Sequence, residues 1–380
     1  MRFGDSQMIR GIVYGPASAG HNARKRVFQM GKYVLKRLGY VLVVFLILSL
    51  LMYLVYAMIP YDRARAEVEQ YKTIYKNEPE KFEAKYQELR KELGLDQNVF
   101  VRYLGWIGVV PINGQYQGLL QGDFGYSYTY DRPVVELLSE PMRNTVFINI
   151  IATIIALGIT IPLGIFCATH RGGKRDTFIQ TATIVGYSIP TFIMAIVFIW
   201  LLAILLREGI EAISGLDLNI FPVSGMKTPG SAYAGIQKFL DELHYMALPI
   251  IVMTVGSLGG MTRYVRASMT EALSMDCIRT ARAKGLREKI VVYSHAWRNA
   301  LIPIITLVIG WFLSIFSGSI MIENIFGLNG MGQLYIGSLN AKDFEVVLLI
   351  QMFYVIIGLL GNLVVDIAYG LADPRVRVNK

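Results

Sequence analysis

Six stretches of the chain are long, apolar and free of Asp, Glu, Lys and Arg: Leu38–Ile59, Thr145–Thr169, Phe178–Leu206, Leu243–Thr262, Asn299–Ile322 and Val346–Val365. A bilayer hydrocarbon core about 30 Å thick takes roughly 20 apolar residues per helix. Each stretch therefore predicts a transmembrane helix. A buried helix of a soluble protein can imitate one such run, but six in one chain argue for a membrane protein. The first follows a basic segment, as a signal peptide would. Its 22 apolar residues run to Ile59-Pro60 with no small-residue cleavage site, so it is read as a retained helix.

Composition agrees: 54% of the 380 residues are apolar and 17% charged, against about 25% charged in an ordinary soluble domain. Charge then orients the helices, because Lys and Arg of short loops collect on the cytoplasmic side. Residues 1–37 carry eight Lys/Arg and one Asp, residues 263–298 carry eight Lys/Arg and three acids, and the turn His170–Asp176 holds Arg171, Lys174 and Arg175. The tail contributes Arg375, Arg377 and Lys380. All four regions are placed inside, so both termini are read as cytoplasmic. The net charge of +9 then reflects topology and anionic lipid rather than nucleic-acid binding. Cys167 and Cys277 fall near the same, reducing side and imply neither a disulfide nor a zinc site.

The organisation that follows is a basic cytoplasmic segment (1–37), a first transmembrane helix (38–59), an extracytoplasmic insertion (60–144), a core of five further helices (145–370) containing the cytoplasmic loop 263–298, and a cytoplasmic tail (371–380). The first ~35 residues show little periodicity and are read as flexible. In the insertion, Val68, Tyr71 and Tyr75, then Phe82, Tyr86, Leu89 and Leu93, recur at helical spacing on either side of Pro79. This predicts two short amphipathic helices forming an external cap. The cap either packs on the membrane domain as a solvated hairpin or touches an outside partner.

Several chemistries lack their residues. Neither Gly31-Lys32 nor Gly173-Lys174 completes a phosphate-binding loop, so the chain is not read as an ATPase. His21, His170, His244 and His295 are scattered, with no His-Glu-x-x-His and no metal site. The apolar runs also lack the buried acids and bases of a proton relay. A membrane enzyme or an ATP-independent channel is the rival class. If the chain transports, its energy comes from elsewhere.

The cytoplasmic loop between helices four and five is the most patterned segment. Ile278, Ala281 and Gly285 share a helical face, and the small residues Ala281, Ala283 and Gly285 would let a short helix seat closely in a groove of another protein. Arg279, Arg282 and Lys284 surround that face with positive charge. An equally consistent reading is a basic helix lying on anionic headgroups. In helix three, Pro190 removes a backbone donor, so Tyr187, Ser188 and Thr191 either re-satisfy freed carbonyls or face a water-filled path. A kink that serves packing alone is the alternative, as for Pro162 in helix two. Glu323, beside Asn324, is a candidate for an external gate or an interfacial anchor.

The string Arg279-Thr280-Ala281-Arg282-Ala283-Lys284-Gly285-Leu286, followed by Arg298-Asn299-Ala300-Leu301-Ile302-Pro303, resembles the coupling loop of permease subunits in binding-protein-dependent ABC importers, specifically their oligopeptide/dipeptide branch. Leu93-Gly94-Leu95-Asp96, Gly122-Asp123-Phe124-Gly125-Tyr126-Ser127, Ser188-Ile189-Pro190-Thr191-Phe192, Arg263-Tyr264-Val265-Arg266 and Glu323-Asn324-Ile325-Phe326-Gly327 extend the resemblance over roughly residues 33–375. Two departures stand out. The family's Glu-Ala-Ala ahead of the loop glycine is Arg279-Thr280-Ala281 here, and its later Pro-Gly is Leu328-Asn329-Gly330. The docking role thus carries over to Ala281 and Gly285 but not to an acid at position 279.

The resemblance implies an all-α integral membrane protein of the type I ABC importer architecture, in a bacterial inner membrane, with a helical insertion between helices one and two. It implies a non-catalytic half-pore for oligopeptides or dipeptides. The partners implied are a second, homologous permease subunit, two ATP-binding subunits that hold ATP and Mg, an extracytoplasmic substrate-binding protein and lipid. The coupling set is Ile278 through Leu286 with Arg298, Asn299 and Pro303. Candidate pore or gate residues are Tyr187, Ser188, Pro190, Thr191, Phe192, Glu323, Asn324 and Phe326. Nickel chelates, glutathione or oligosaccharides are the alternative cargoes.

Overall fold

The computed structural model describes residues 16–59, 62–76, 78–112, 114–127 and 129–372. Arg375, Arg377 and Lys380 of the basic tail, and the basic positions before Pro16, lie outside the described residues. Helix α1 (Pro16–Ala57) starts well before the first apolar run, so the lead-in from residue 16 is helical where little periodicity was legible. The insertion folds as α2 (Arg63–Val68), α3 (Pro79–Glu92) and α4 (Val99–Ile107), followed by a two-stranded ribbon of β1 (Tyr126–Ser127) and β2 (Arg132–Pro133). Asp62 caps α2 by accepting from the Arg65 N–H at 3.3 Å, and it also accepts from the Tyr86 hydroxyl of α3. Pro79 opens α3 at a position where its missing N–H costs nothing.

The remaining helices are α5 (Val134–Thr169), α6 (Lys174–Ser188), α7 (Thr191–Phe198), α8 (Leu206–Ser214), α9 (Gly235–Ser274), α10 (Asp276–Ala283), α11 (Glu288–Ile290), α12 (Trp297–Ser314), α13 (Ile320–Ile325), α14 (Met331–Asn340) and α15 (Phe344–Ala372). Two π-helical segments, Ile199–Leu205 and Val291–Ala296, join α7 to α8 and α11 to α12. Among the described residues, six helical units are long and apolar enough to cross a bilayer: Val34–Ala57, Val134–Thr169, Thr191–Ser214, Gly235–Ser274, Glu288–Ser314 and Phe344–Ala368. The third differs from the predicted Phe178–Leu206. Helix α6 stops at Ser188, and Ile189 is extended (φ −80°, ψ 125°) before Pro190, because proline disfavours helical geometry in the residue before it. The break is therefore complete at Pro190, whereas α5 runs unbroken through Pro162.

Helices α5 and α9 form the central seam. At Gly164 an added Cβ would come within 2.6 Å of Val265 Cβ, so only glycine permits this approach. One buried cluster joins Ile165 of α5 to Met261, Val265, Met269 and Ala272 of α9, Ile278 and Ala281 of α10, and Ala300 and Ile304 of α12. A second, farther along the bundle, gathers Ile148, Met194, Met246, Leu248 and Phe326. A third joins Val134, Met331, Leu334, Val346 and Ile350. Polar contacts tie the insertion to this body at several places. Arg63 pairs with Glu345 at 2.6 Å, Ser127 Oγ donates to Asp343 at 2.5 Å, and the Tyr103 hydroxyl lies 2.7 Å from Ser49 Oγ of α1.

Candidate functional site

Between α5, α6, α9 and α12 lies a cavity of about 500 Å³. Its polar lining is Asn149 and Thr153 from α5, Tyr187 from α6, Ser257 and Tyr264 from α9, and Trp311 and Ser314 from α12. No Asp, Glu, Lys or Arg is among the lining residues. Small residues make the room: Gly256 and Gly260 open the α9 wall, and Thr191 sits beside Gly256. Asn149 also has a structural task, since its Nδ2 donates to the carbonyls of Ile315 at 2.8 Å and Ser317 at 3.1 Å, just past α12.

Of the residues singled out around Pro190, only Tyr187 lines this cavity. Ser188 Oγ donates to the Ile184 carbonyl one turn back at 2.8 Å, so this hydroxyl is used within its own helix. Pro190 and Phe192 face outward. The cavity's other polar residues were passed over in the sequence. The signal available was their placement, uncharged polar side chains inside otherwise apolar runs.

Glu323, a candidate for an external gate or an interfacial anchor, lies inside the structure rather than at its surface. Its side chain is buried, accepting from Thr145 Oγ1 at 3.1 Å, Ser319 N at 3.2 Å and Gln333 N at 2.8 Å. Thr145 Oγ1 in turn accepts from Met331 N at 2.9 Å. The carboxylate thus closes the α13–α14 hairpin and fastens it to α5, satisfying donors at the first turn of α14. Gly330 is required for this contact: its Cβ would lie 2.6 Å from Glu323 Oε1. Phe326 is a core residue at 1% exposure, and Asn324 is exposed. A loop from the α8–α9 connection lies over this hairpin, with Gly225 N donating to the Phe326 carbonyl at 2.9 Å.

At the opposite end, α9 turns into α10 through an extended Met275. The face expected to dock elsewhere is divided. Ile278 (0% exposed) and Ala281 (5%) turn inward onto α9 and the start of the α12 unit, while Gly285 lies past the helix end. The inward turn follows from amphipathicity, because Ile278 has a buried apolar cluster of its own chain within reach. Gly285 adopts φ +75° with open space around it, so glycine is there for its backbone conformation. What α10 offers outward is Cys277, Arg279, Thr280, Arg282, Ala283 and Lys284, with Leu286 at the tip. Arg282 forks onto Glu288 at 3.1 and 2.6 Å and so braces the turn. Arg298 is exposed on the next helix, Asn299 Nδ2 donates to the His295 carbonyl at 3.0 Å, and the Pro303 carbonyl accepts from Tyr264 at 3.4 Å.

A pair that the sequence did not reveal joins α6 to α9. Arg266 Nε and Nη2 donate to the two Asp176 oxygens at 2.8 and 2.7 Å, and Gly172 N donates to the same carboxylate at 2.9 Å. The Arg266 guanidinium, helped by the Gly172 N–H against the cost of burial, holds the Asp176 carboxyl below the usual carboxylate range. Among the described residues no group of His, Cys, Asp and Glu is arranged to hold a metal.

Six helical units long and apolar enough to span a bilayer, an uncharged cavity between α5, α6, α9 and α12, and a short basic helix at one end fit a membrane transport subunit. The chain belongs to the family described as binding-protein-dependent transport system inner membrane component, whose profile matches residues 160–378. The profile of the N-terminal region of such membrane components matches residues 30–149. Similar proteins include the oligopeptide transport system permease protein AppB of Bacillus subtilis, 32% identical over 79% of this chain and 87% of the relative. The dipeptide transport system permease proteins DppB of Lactococcus lactis and Escherichia coli are 30% and 31% identical, each over 92% of this chain and 100% of the relative. An inward-facing MetNI methionine ABC transporter structure covers 62% of this chain and 98% of its own at 18% identity and a TM-score of 0.44, a likeness too loose to carry an argument.

Proposed function

We propose that the chain forms half of the translocation pore of an ATP-driven importer of oligopeptides or dipeptides, in a bacterial inner membrane. A second, homologous permease subunit supplies the other half, and an extracytoplasmic binding protein delivers the cargo on the side of the α2–α4 insertion. Two separate ATP-binding subunits hold ATP and Mg and dock against the outward face of α10, which is cytoplasmic together with both termini. This chain itself catalyses no reaction.

One observation carries the reading: the helix that walls the cavity, α9, is joined through the single residue Met275 and a shared buried cluster to an exposed basic helix, α10, in a chain whose similar proteins are peptide permeases. A displacement applied to α10 is therefore applied to the cavity wall, the arrangement that alternating access requires. The uncharged lining suits a peptide main chain, which presents N–H and C=O groups whatever its side chains. Apolar side chains exposed on α6 and on the π-helical segment after α7, among them Phe178, Ile184 and Trp200, provide surface for lipid and for the second permease subunit.

The test is to purify the chain from its own cells with its copurifying subunits, reconstitute the complex in liposomes and measure ATP-dependent uptake of a radiolabelled tripeptide. Stoichiometric ATPase subunits and accumulation blocked by excess unlabelled peptide are expected. Copurification without any ATPase, or uptake competed by a nickel chelate, glutathione or an oligosaccharide and not by peptide, contradicts the reading.

A further inference from the structure

Helix α6 is the least embedded part of the cavity wall. The break at Ile189-Pro190 separates it from α7, the turn at 170–173 separates it from α5, and Phe178 (72% exposed) and Val185 (56%) face away from the chain. What holds it is chiefly α9, through three contacts. At the first, Arg266 forks onto Asp176. At the second, Gly259 allows backbone approach: an added Cβ would run into the Thr183 carbonyl and lie 2.6 Å from Tyr187 Cβ. At the third, the Arg263 guanidinium stands 5.3 Å from the centre of the Tyr187 ring, within cation–π range. Farther along α9, Met269 and Ala272 share a buried cluster with Ile278 and Ala281 of α10. A continuous packed path therefore runs from α10 through α9 to Tyr187 in the cavity.

The Asp176–Arg266 contact suits a mechanical task. The fork is bidentate and planar, so it fixes direction as well as distance. Its two members are unequally buried, with side-chain exposures of 3% for Asp176 and 27% for Arg266. Without the carboxylate, the guanidinium reaches solvent, so α6 loses its fastening without a stranded buried charge.

We propose that Asp176 and Arg266 are positioning residues that lock α6 to α9, so that movement of α10 carries Tyr187 across the cavity wall. The proposal rests on the importer reading above. Breaking the lock leaves ATP hydrolysis running while the wall no longer follows it, whereas a merely structural contact would lower both together.

The experiment uses the complete complex in liposomes, with its binding protein and a radiolabelled tripeptide, and measures peptide accumulated per ATP hydrolysed. Asp176→Asn is expected to lower that ratio about tenfold, within the usual range of coupling energies, while hydrolysis persists. The exchange of Asp176→Arg with Arg266→Asp restores most of it. Gly259→Ala, which pushes α6 off α9 without touching the charges, lowers the ratio in the same way. If Asp176→Asn does not assemble, the charge exchange and Gly259→Ala decide by the same ratio. An unchanged ratio in Asp176→Asn or Gly259→Ala overturns the lock. Wild-type complex that hydrolyses ATP without ever accumulating peptide overturns the importer reading instead.

Discussion

The two ends of the bundle handle their polar groups in opposite ways. At the end carrying the insertion, buried and half-buried polar groups are tied across long stretches of sequence: Thr145 to Glu323 over 178 residues, Ser127 to Asp343 over 216, and the half-buried pair Arg63 to Glu345 over 282. At the α10 end the charged contacts of the helix are local and exposed, Arg279 to Asp276 over three residues and Arg282 to Glu288 over six. Buried, hydrogen-bonded groups favour a single arrangement. Exposed local pairs leave most of their charge facing outward. The first end holds itself closed, and the second presents its charge at the surface.

Glu323→Ala breaks the first end most severely. It leaves the N–H groups of Ser319 and Gln333 without their acceptor in a buried site, costing about 3 kcal/mol or more. A large fall in thermal midpoint in detergent is expected, with Gly330→Ala following it because a Cβ there overlaps the same carboxylate. A Glu323→Ala midpoint equal to wild type would mean that the hairpin is held by packing alone.

Asp176 gives a pH test at the α10 end, where its pair with Arg266 over 90 residues is the long-range exception to the local contacts of α10. Its carboxyl is lowered by Arg266, so its contribution is complete above the unfolded pKa of about 3.9 and is lost as pH falls through the lower folded value. Thermal midpoints of wild type and Asp176→Asn should therefore differ by a constant amount from neutral pH down to about pH 5, and converge only in stronger acid. Convergence already near neutrality would contradict an ionised, paired carboxylate.

At the other end, Gly285→Val forces a β-branched residue to φ +75°, costing roughly 1–2 kcal/mol locally. Peptide uptake per ATP should fall while the amount of chain in the membrane holds; undiminished uptake would remove the turn from the docking surface. Arg282→Ala is the mildest change. Its pair with Glu288 is about half exposed, with side-chain exposures of 47% and 61%, and solvent screening limits its worth to less than about 1 kcal/mol. A midpoint within a few degrees of wild type is expected, and a large drop would show that α10 depends on this brace.

The contrast also explains what the sequence disclosed. The six spanning units were legible because apolar length and absence of charge are local properties, but the uncharged run Phe178–Leu206 passes straight through Pro190 and so hid the full break there. The basic character of α10 was legible for the same reason. The direction in which α10 turns its faces was not, because Ile278 and Ala281 are drawn inward by Met269, Val291 and Ala296, residues whose proximity only the fold supplies. The task of Glu323 and the need for Gly330 were hidden likewise, since Thr145 lies on another helix. Asp176 and Arg266, 90 residues apart, each looked like an ordinary cytoplasmic charge.

The central claim is that the outward face of α10 is the surface an ATPase subunit covers, and the chain carries its own probe there. Cys277 is exposed on α10 and Cys167 is buried in α5. Maleimide labelling of the chain alone and in its complete complex compares the two thiols directly. The account predicts that Cys277 labels in the chain alone, is protected in the complex and regains labelling when the ATPase subunits are stripped away, with Cys167 unreactive throughout. Equal labelling of Cys277 with and without the ATPase subunits would contradict it.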